Sequence, residues 1–219
     1  MVSRPAGVLR LGVRAFGPEE LLVMAVVNGA SEPAAAMSRV HEAVAEGAHI
    51  VEVPVGPDAE SERAVRFIAA VREAYPELIV GVSTGRYEVA LQACAAGADL
   101  LRGGDFGVAA EFGAGVVCPA ALAAGAAEAG VPVERIVIEA ENTGELAELV
   151  ATGWPVLLSP GTGDLAGSLA TAAVAAWLGA RVFRVPQVRA ARRALRMASA
   201  IRGDIPPAYA VRGLALGRG

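Results

Sequence analysis

The chain contains no lysine, and all nineteen of its basic residues are arginine. No reaction that needs an amine nucleophile or a Schiff base is therefore open to it. Its only two cysteines, Cys94 and Cys118, fit no metal-binding spacing, which predicts buried, reduced thiols. Its only two histidines, His41 and His49, fall on and just after a predicted helix rather than at a strand end, so we interpret both as structural.

Other features are missing as well. The net charge is −4, which gives no indication of a nucleic-acid partner. No apolar run is long enough to span a bilayer and no signal-peptide pattern is present, so we expect a cytoplasmic protein without a membrane partner. With 219 residues, 54% of them hydrophobic, the sequence predicts a single domain over residues 1–219 with a large core, and a loose tail over residues 211–219.

The clearest local pattern runs from Leu21 to Val55. It reads LLVMAVVN, then SEPAAAMSRVHEAVAEGA with apolar residues at threes and fours, then HIVEVPV. Two nearly continuous apolar strands around an amphipathic helix are typical of a βαβ unit, because a parallel sheet is buried on both faces. Polar residues such as Asn28 and Glu52 fall near the carboxyl ends of these strands, where α/β folds bind ligands.

The same alternation of strand and helix continues along the chain, after a short predicted hairpin at Val8–Phe16. The predicted strands are Leu21–Asn28, Ile50–Val55, Ile79–Ser83, Asp99–Arg102, Gly115–Cys118, Arg135–Glu139, Pro155–Ser159 and Arg181–Val185. The predicted helices are Pro33–Glu46, Asp58–Tyr75, Tyr87–Ala96, Phe106–Phe112, Ala120–Ala129, Thr143–Thr152, Leu165–Leu178 and Gln187–Arg202. Eight such units predict an α/β fold of the (β/α)₈ TIM-barrel class. The alternative is a doubly wound open sheet, but residues 28–31 read NGAS and lack its glycine-rich fingerprint.

The predicted strand ends place a ring of polar residues at the mouth of the barrel. The ring comprises Asn28, Glu52, Ser83, Thr84, Arg102, Cys118, Glu139, Ser159 and Arg184. The two acids and two arginines can pair with one another across the mouth, with Arg102 as the central cation, since charge inside a barrel must be paired. Alternatively, the ring binds a small polar or anionic ligand.

A glycine-rich loop, Ser159–Asp164, joins the seventh predicted strand to the seventh helix. Loops at this place in barrels often bind phosphate. Asp164 would repel an anion and is a good helix N-cap, so the sequence favours a cap over a phosphate site.

The segments quoted above, together with LIVGVSTGRYEVALQACAAGADLL, ERIVIEA, TGWPVLLS and RVFRVPQVRAARRALR, resemble dihydropteroate synthase along the full chain. Within that family, RLGVRAFGPEELLVMAVVN, AAEFGAGVVC and PPAYAVRGLA are most similar to the second actinobacterial paralogue, a branch understood to lack the folate activity. The resemblance implies a pterin pocket at the carboxyl face and a homodimer formed through late helices. Helix Leu165–Leu178 is apolar or small on nearly every side, with Trp177 as a candidate anchor, which favours the dimer.

Measured against the family's motifs, the chain keeps Asn28, Arg184 and, as a longer acid, Glu139. Ser83 stands where the family has a pterin-binding Asp, and Arg102 stands where it has an Asn. Arg102 thus brings a bulky cation to the place of an amide that faces the pterin ring.

Further family features are absent. Glu52 replaces an Asp followed by glycines, Pro186 replaces a His, both family lysines are missing, and the substrate-closing loops are trimmed. Transfer with loss of pyrophosphate needs cationic and metal stabilisation of the leaving group. These losses predict a degenerate dihydropteroate synthase with an interaction or regulatory role and without a catalytic residue, metal or cofactor. The alternatives are an enzyme or binder with a rewired site, using Glu52, Arg102, Glu139 and Arg184, and a residual dihydropteroate synthase.

Overall fold

The computed structural model describes residues 7–29, 32–56, 61–161 and 163–206. Within them, eight parallel strands form a closed barrel in the order β10-β3-β4-β5-β6-β7-β8-β9, and a two-stranded antiparallel hairpin precedes it. The predicted TIM barrel and hairpin are confirmed. The predicted loose tail at 211–219 and the first residues of the predicted second helix lie outside the described residues. None of the described helices is long and apolar enough to cross a membrane.

The strands are β1 (Leu9–Leu11), β2 (Arg14–Phe16), β3 (Leu22–Val26), β4 (Ile50–Pro54), β5 (Ile79–Ser83), β6 (Leu100–Arg102), β7 (Gly115–Cys118), β8 (Ile136–Ala140), β9 (Val156–Leu158) and β10 (Val182–Val185). The helices are α1 (Pro33–Glu46), α2 (Ser61–Ala74), α3 (Tyr87–Ala95), α4 (Phe106–Phe112), α5 (Ala123–Glu128), α6 (Leu146–Ala151), α7 (Leu165–Leu178) and α8 (Val188–Arg202).

Several predicted boundaries were wrong by one to three residues. The predicted first strand ran to Asn28, but β3 ends at Val26, because the backbone leaves the ladder after Val27 N–H donates to Glu52 O at 2.9 Å. The predicted fifth and sixth helices both begin as 3₁₀ turns, at Ala120–Leu122 and Thr143–Glu145, and only then become α-helices. Such tight first turns are common at helix starts.

The hairpin closes the amino-terminal end of the barrel. Its buried side chains, Leu9, Leu11 and Phe16, belong to one apolar cluster with the barrel's inward-facing residues Leu22, Met24, Ile50, Ile79, Leu100, Val117, Val137, Leu157 and Val182. Arg181 holds the hairpin in place from the strand side: it donates to Gly7 O at 2.8 Å, and also to Gly17 O. The lower half of the barrel interior is therefore a packed core, and the opposite end is the one at which barrels of this class carry their sites.

His49 is a structural residue in this lower half. Its Nδ1 accepts the backbone N–H of Val23 at 3.0 Å, and its ring meets Phe16 edge-on. Burial first, and then the charges of Arg192 and Arg14, lower the pKa of His49 from 6.5 to about 4. The folded protein therefore binds this proton less readily than the unfolded chain does.

We expect the His49 proton to destabilise the fold as the pH falls. The contribution of neutral His49 to the free energy of unfolding is present above the unfolded pKa of 6.5 and is lost as the pH falls below it. The loss levels off below about pH 4, the pKa of the folded state. Between pH 7 and pH 5 the loss should be about 2 kcal/mol. Urea unfolding at both pH values measures it, and His49→Asn, whose Oδ1 can replace Nδ1 as acceptor, is the control. An equal pH dependence in both proteins would show that His49 contributes none of it.

Candidate functional site

Four charged side chains form the top layer of the barrel interior. Glu52, Arg102, Glu139 and Arg184 each lie two residues beyond an inward-facing apolar residue: Ile50, Leu100, Val137 and Val182 respectively. Because side chains alternate along a strand, the four charges also face inward. They come from β4, β6, β8 and β10, which are alternate strands of the barrel. Alternate strands supply the layers of a TIM barrel, so these four residues form one layer at the mouth.

Arg102 and Glu139 form the first pair of this layer. Arg102 Nε lies 3.1 and 3.0 Å from the two Glu139 oxygens, and Arg102 Nη2 donates to Glu139 Oε1 at 2.7 Å. These hydrogen bonds are the main reason that the pKa of Arg102 is raised, although burial opposes them. The pair is partly exposed, at 29% for the Arg102 side chain and 22% for Glu139.

Glu52 and Arg184 form the second pair. Arg184 Nε donates to Glu52 Oε2 at 2.5 Å, and the Glu52 side chain is only 1% exposed. Glu52 Oε1 has no hydrogen-bond partner among the described residues, and Arg102 Nη1 lies 3.9 Å from it. The four residues thus form a chain, Glu139–Arg102–Glu52–Arg184, whose charges cancel. The pairing expected around Arg102 is present, but Arg184 is the closest partner of the buried acid.

The remaining predicted site residues lie around this chain. Ser83 Oγ accepts from Arg102 Nη1 at 3.3 Å. Thr84 is buried, and its Oγ1 accepts the backbone N–H of Arg86 at 3.2 Å, which shapes the turn after β5. Asn28 lies two residues past β3 with an exposed side chain. The structure therefore brings Ser83 into contact with the charged layer and leaves Asn28 at its rim.

A cavity of about 510 Å³ opens above the Arg102–Glu139 pair. Its floor includes Ser83, Arg102 and Glu139, and its walls include Phe106 at the start of α4 and Leu122 before α5. Sequence reasoning missed both wall residues because they lie in the first helical turns after β6 and β7 and not at strand ends. The one available signal was that each apolar side chain follows a short turn beyond a strand end.

The glycine-rich loop before α7 is a helix cap. Asp164 Oδ1 accepts the backbone N–H of Gly167 at 2.8 Å, which is the N-cap that the sequence favoured. Thr162, the central residue of this loop, lies outside the described residues. The carboxylate at the helix start opposes an anion there, which disfavours a phosphate beside the described residues of this loop.

The side chains at the mouth do not fit a metal ion of the kind that the family's transfer reaction needs to stabilise its leaving group. Across the described ranges, no three His, Cys, Asp or Glu side chains form a group that could hold a metal ion. The two mouth carboxylates are bound by arginines, and Asn28 supplies a single amide oxygen. Both cysteines are buried, and burial raises the pKa of each to about 11, so neither supplies a thiolate.

Comparison with known proteins finds similar sequences, although no protein-family model matches the chain. It is 36% identical to the inactive dihydropteroate synthase 2 of Mycobacterium tuberculosis, over 92% of this chain and 89% of that protein, and 35% identical to the Mycobacterium leprae protein of the same name, over 92% and 98%. Both alignments run over 284 positions, more than the 219 residues of this chain, so the relatives contain segments that it lacks.

Solved structures agree with the sequence relatives. Mycobacterium tuberculosis Rv1207 superposes with a TM-score of 0.81 at 40% identity, covering 90% of this chain and 99% of that one. Yersinia pestis dihydropteroate synthase in complex with a sulfonamide drug superposes equally well, at 0.81 over 90% and 100% of the two chains, but with only 16% identity, so it shows the fold alone. From these relatives, the chain belongs to the dihydropteroate synthase family.

Proposed function

We propose that this chain is a dihydropteroate synthase homologue without dihydropteroate synthase activity, and that it serves as a dimeric, regulatory or ligand-binding protein. One observation carries the proposal: the carboxylates that face the mouth, Glu139 and Glu52, are each held by an arginine of the same chain. The curated relatives are named inactive, which supports the same conclusion.

The charged layer is unsuited to the family's reaction for physical reasons. The Glu139 carboxylate, which already accepts three N–H contacts from the Arg102 guanidinium, has little capacity left for a substrate's donors. Arg102 also occupies space where the family has a smaller amide. No lysine is present to stabilise a leaving pyrophosphate, and each such group contributes on the order of 2–4 kcal/mol to lowering a barrier. The combined loss is large enough to abolish turnover.

We therefore expect the chain to fail as a folate enzyme. When expressed in a bacterial strain that lacks its own dihydropteroate synthase, it should not restore growth without added folate end products, whereas an active family member expressed at the same level should. Immunoblotting checks that the chain is present. Growth that depends on this gene would overturn the proposal.

The dimer part of the proposal rests on an apolar patch on the outer surface. Val174, Trp177 and Leu178 on α7, with Met197 and Ile201 on α8, are all exposed, and we name them the α7–α8 patch. Large apolar side chains grouped in this way usually mark an interface, and tryptophan is a frequent anchor of one. We infer that a second copy of the chain covers the patch.

Light scattering at micromolar concentration tests the dimer. We expect a mass of twice the 22.1 kDa chain, and we expect Trp177→Glu to reduce it to that of one chain. Val13→Glu is the matched control, because Val13 is an exposed apolar residue at the hairpin turn and belongs to neither α7 nor α8. A wild-type protein with the mass of a single chain would refute the proposal.

A further inference from the structure

The charged layer contains one buried oxygen that lacks a donor. Glu52 Oε1 is buried without a hydrogen bond from any described residue, while Oε2 of the same carboxylate is bound by Arg184. Arg102 Nη1 lies 3.9 Å from this oxygen, about 1 Å beyond normal hydrogen-bond distance. A buried acceptor without a donor is costly, so a small movement of Arg102 toward Glu52 would be favourable for Glu52. The unpartnered oxygen of Glu52 is therefore an acceptor that Arg102 Nη1 would reach by a shift of about 1 Å.

Arg102 is placed where such a movement is possible. It is the last residue of β6, and Gly103, with φ +73°, and Gly104 follow it. Its contact with Ser83 Oγ is long, at 3.3 Å, and 29% of its side chain is exposed. Its shortest hydrogen bonds in the observed position are those to Glu139, at 2.7 to 3.1 Å. Any group that replaces it on Glu139 would allow it to move onto Glu52.

The charge balance defines that group. In the observed arrangement two acids and two arginines cancel. With Arg102 on Glu52, the carboxylate of Glu139 would face the 510 Å³ cavity without a counter-ion. A cation would stabilise this partly buried carboxylate, and a planar fork of N–H groups matches its two oxygens best. Phe106 and Leu122 give the cavity apolar walls against which the rest of such a ligand can pack.

We propose that the barrel mouth binds a ligand with a guanidinium or amidinium group, which replaces Arg102 on Glu139 while Arg102 moves onto Glu52. Arg102 is then an internal occupant of its own chain's binding site and sets the site's specificity and affinity. The group can belong to a small molecule or to an arginine side chain of a peptide. This inference deepens the ligand-binding part of the proposed function and does not depend on whether the chain has synthase activity.

Calorimetric titration with methylguanidine and benzamidine tests the proposal. The wild type should bind both probes weakly, because each must displace Arg102. Arg102→Gly should bind them at least 10-fold more tightly, and Glu139→Gln should bind neither. In the wild-type background, Glu52→Gln should weaken the binding of both probes, because it removes the carboxylate onto which Arg102 moves. In the Arg102→Gly background, the same substitution should leave binding unchanged. n-Butylamine, a cation without the planar fork, and urea, a neutral molecule of the same shape, are control ligands.

Two further arms complete the test. The affinity of a blocked Gly-Arg-Gly peptide is compared with that of methylguanidine. Tighter binding of the peptide would indicate an arginine side chain of a peptide as the ligand, and tighter binding of methylguanidine a small molecule. If Arg102→Gly does not unfold cooperatively, Arg102→Met is used instead, because the methionine side chain keeps an apolar stem at this position. A cooperatively folded Arg102 variant without affinity for either probe, or with equal affinity for n-butylamine, would overturn the proposal. The titrations measure binding only, so a negative result would overturn the proposed ligand and not the proposed lack of synthase activity. The lack of activity would be overturned only by growth of the synthase-deficient strain.

Discussion

Replacing Arg184 with alanine should lower the free energy of unfolding by about 3–5 kcal/mol, because it removes the partner of a buried acid. The Glu52 side chain is 1% exposed, and the only hydrogen bond that its carboxylate accepts from a described residue comes from Arg184 Nε at 2.5 Å. Without that bond both oxygens of a buried carboxylate would lack a donor. Breaking a buried pair in this way costs more than the pair itself contributes, since the charge that remains has no compensation.

Two matched variants define the scale of this effect. Arg102→Ala should cost less, about 2 kcal/mol, because Glu139 is 22% exposed and regains water when the arginine is removed. Arg66→Ala breaks the exposed pair with Glu62 on α2 and should cost under about 1 kcal/mol. Urea unfolding gives all three values from the change in midpoint. If Arg184→Ala matched Arg66→Ala, the mouth would be open to water and Glu52 would not depend on its arginine.

A second large effect is expected at the opposite end of the barrel. Phe16→Ala should lower the free energy of unfolding by about 3–5 kcal/mol, because the phenyl ring is fully buried and its removal leaves a cavity. The ring closes the barrel together with Leu9 and Leu11, and it also packs edge-on against His49 with ring centroids 6.4 Å apart. The loss therefore includes contacts with both the hairpin and the barrel.

Val13→Ala is the control within the same hairpin. Val13 is exposed at the turn, so its truncation should change stability by less than about 0.5 kcal/mol. A cost below about 1 kcal/mol for Phe16→Ala, measured beside this control, would mean that the hairpin leaves the barrel without disturbing it. That result would also contradict the structural role of Arg181, which binds the carbonyls of the hairpin.

The barrel was predictable because its signal is local and repeated. Each of the eight predicted strands overlaps an observed strand of the barrel, and β5, β7, α1, α4 and α7 have the predicted boundaries. Strand ends such as Asn28 were less predictable, because the sequence does not show whether a polar residue is the last one in the hydrogen-bonded ladder or the first one beyond it. The 3₁₀ starts before α5 and α6 were missed since their sequences continue the helical pattern without a break.

The charged layer was predictable in membership but not in pairing. Alternation along a strand places Glu52, Arg102, Glu139 and Arg184 on the inner face, and the resemblance to the synthase family identified the same positions. Which arginine meets which acid depends on the stagger between strands, and a single sequence does not contain it. Hence Arg102 was expected to be the main cation of the whole layer, whereas Arg184 holds the most buried acid at 2.5 Å. The cavity walls depend on loop paths and could not be predicted at all.

The central claim is that the mouth acids are bound by the chain's own arginines and not held open for a pterin. A double-mutant cycle with Arg102→Ala and Glu139→Ala tests it most directly, since the coupling between two residues is the part of their effects that is not additive. The two side chains share three contacts between 2.7 and 3.1 Å, so we predict a coupling of about 1–3 kcal/mol in urea unfolding at low salt. Additive effects, with a coupling of zero within error, would mean that Glu139 is free for another partner and would contradict the account.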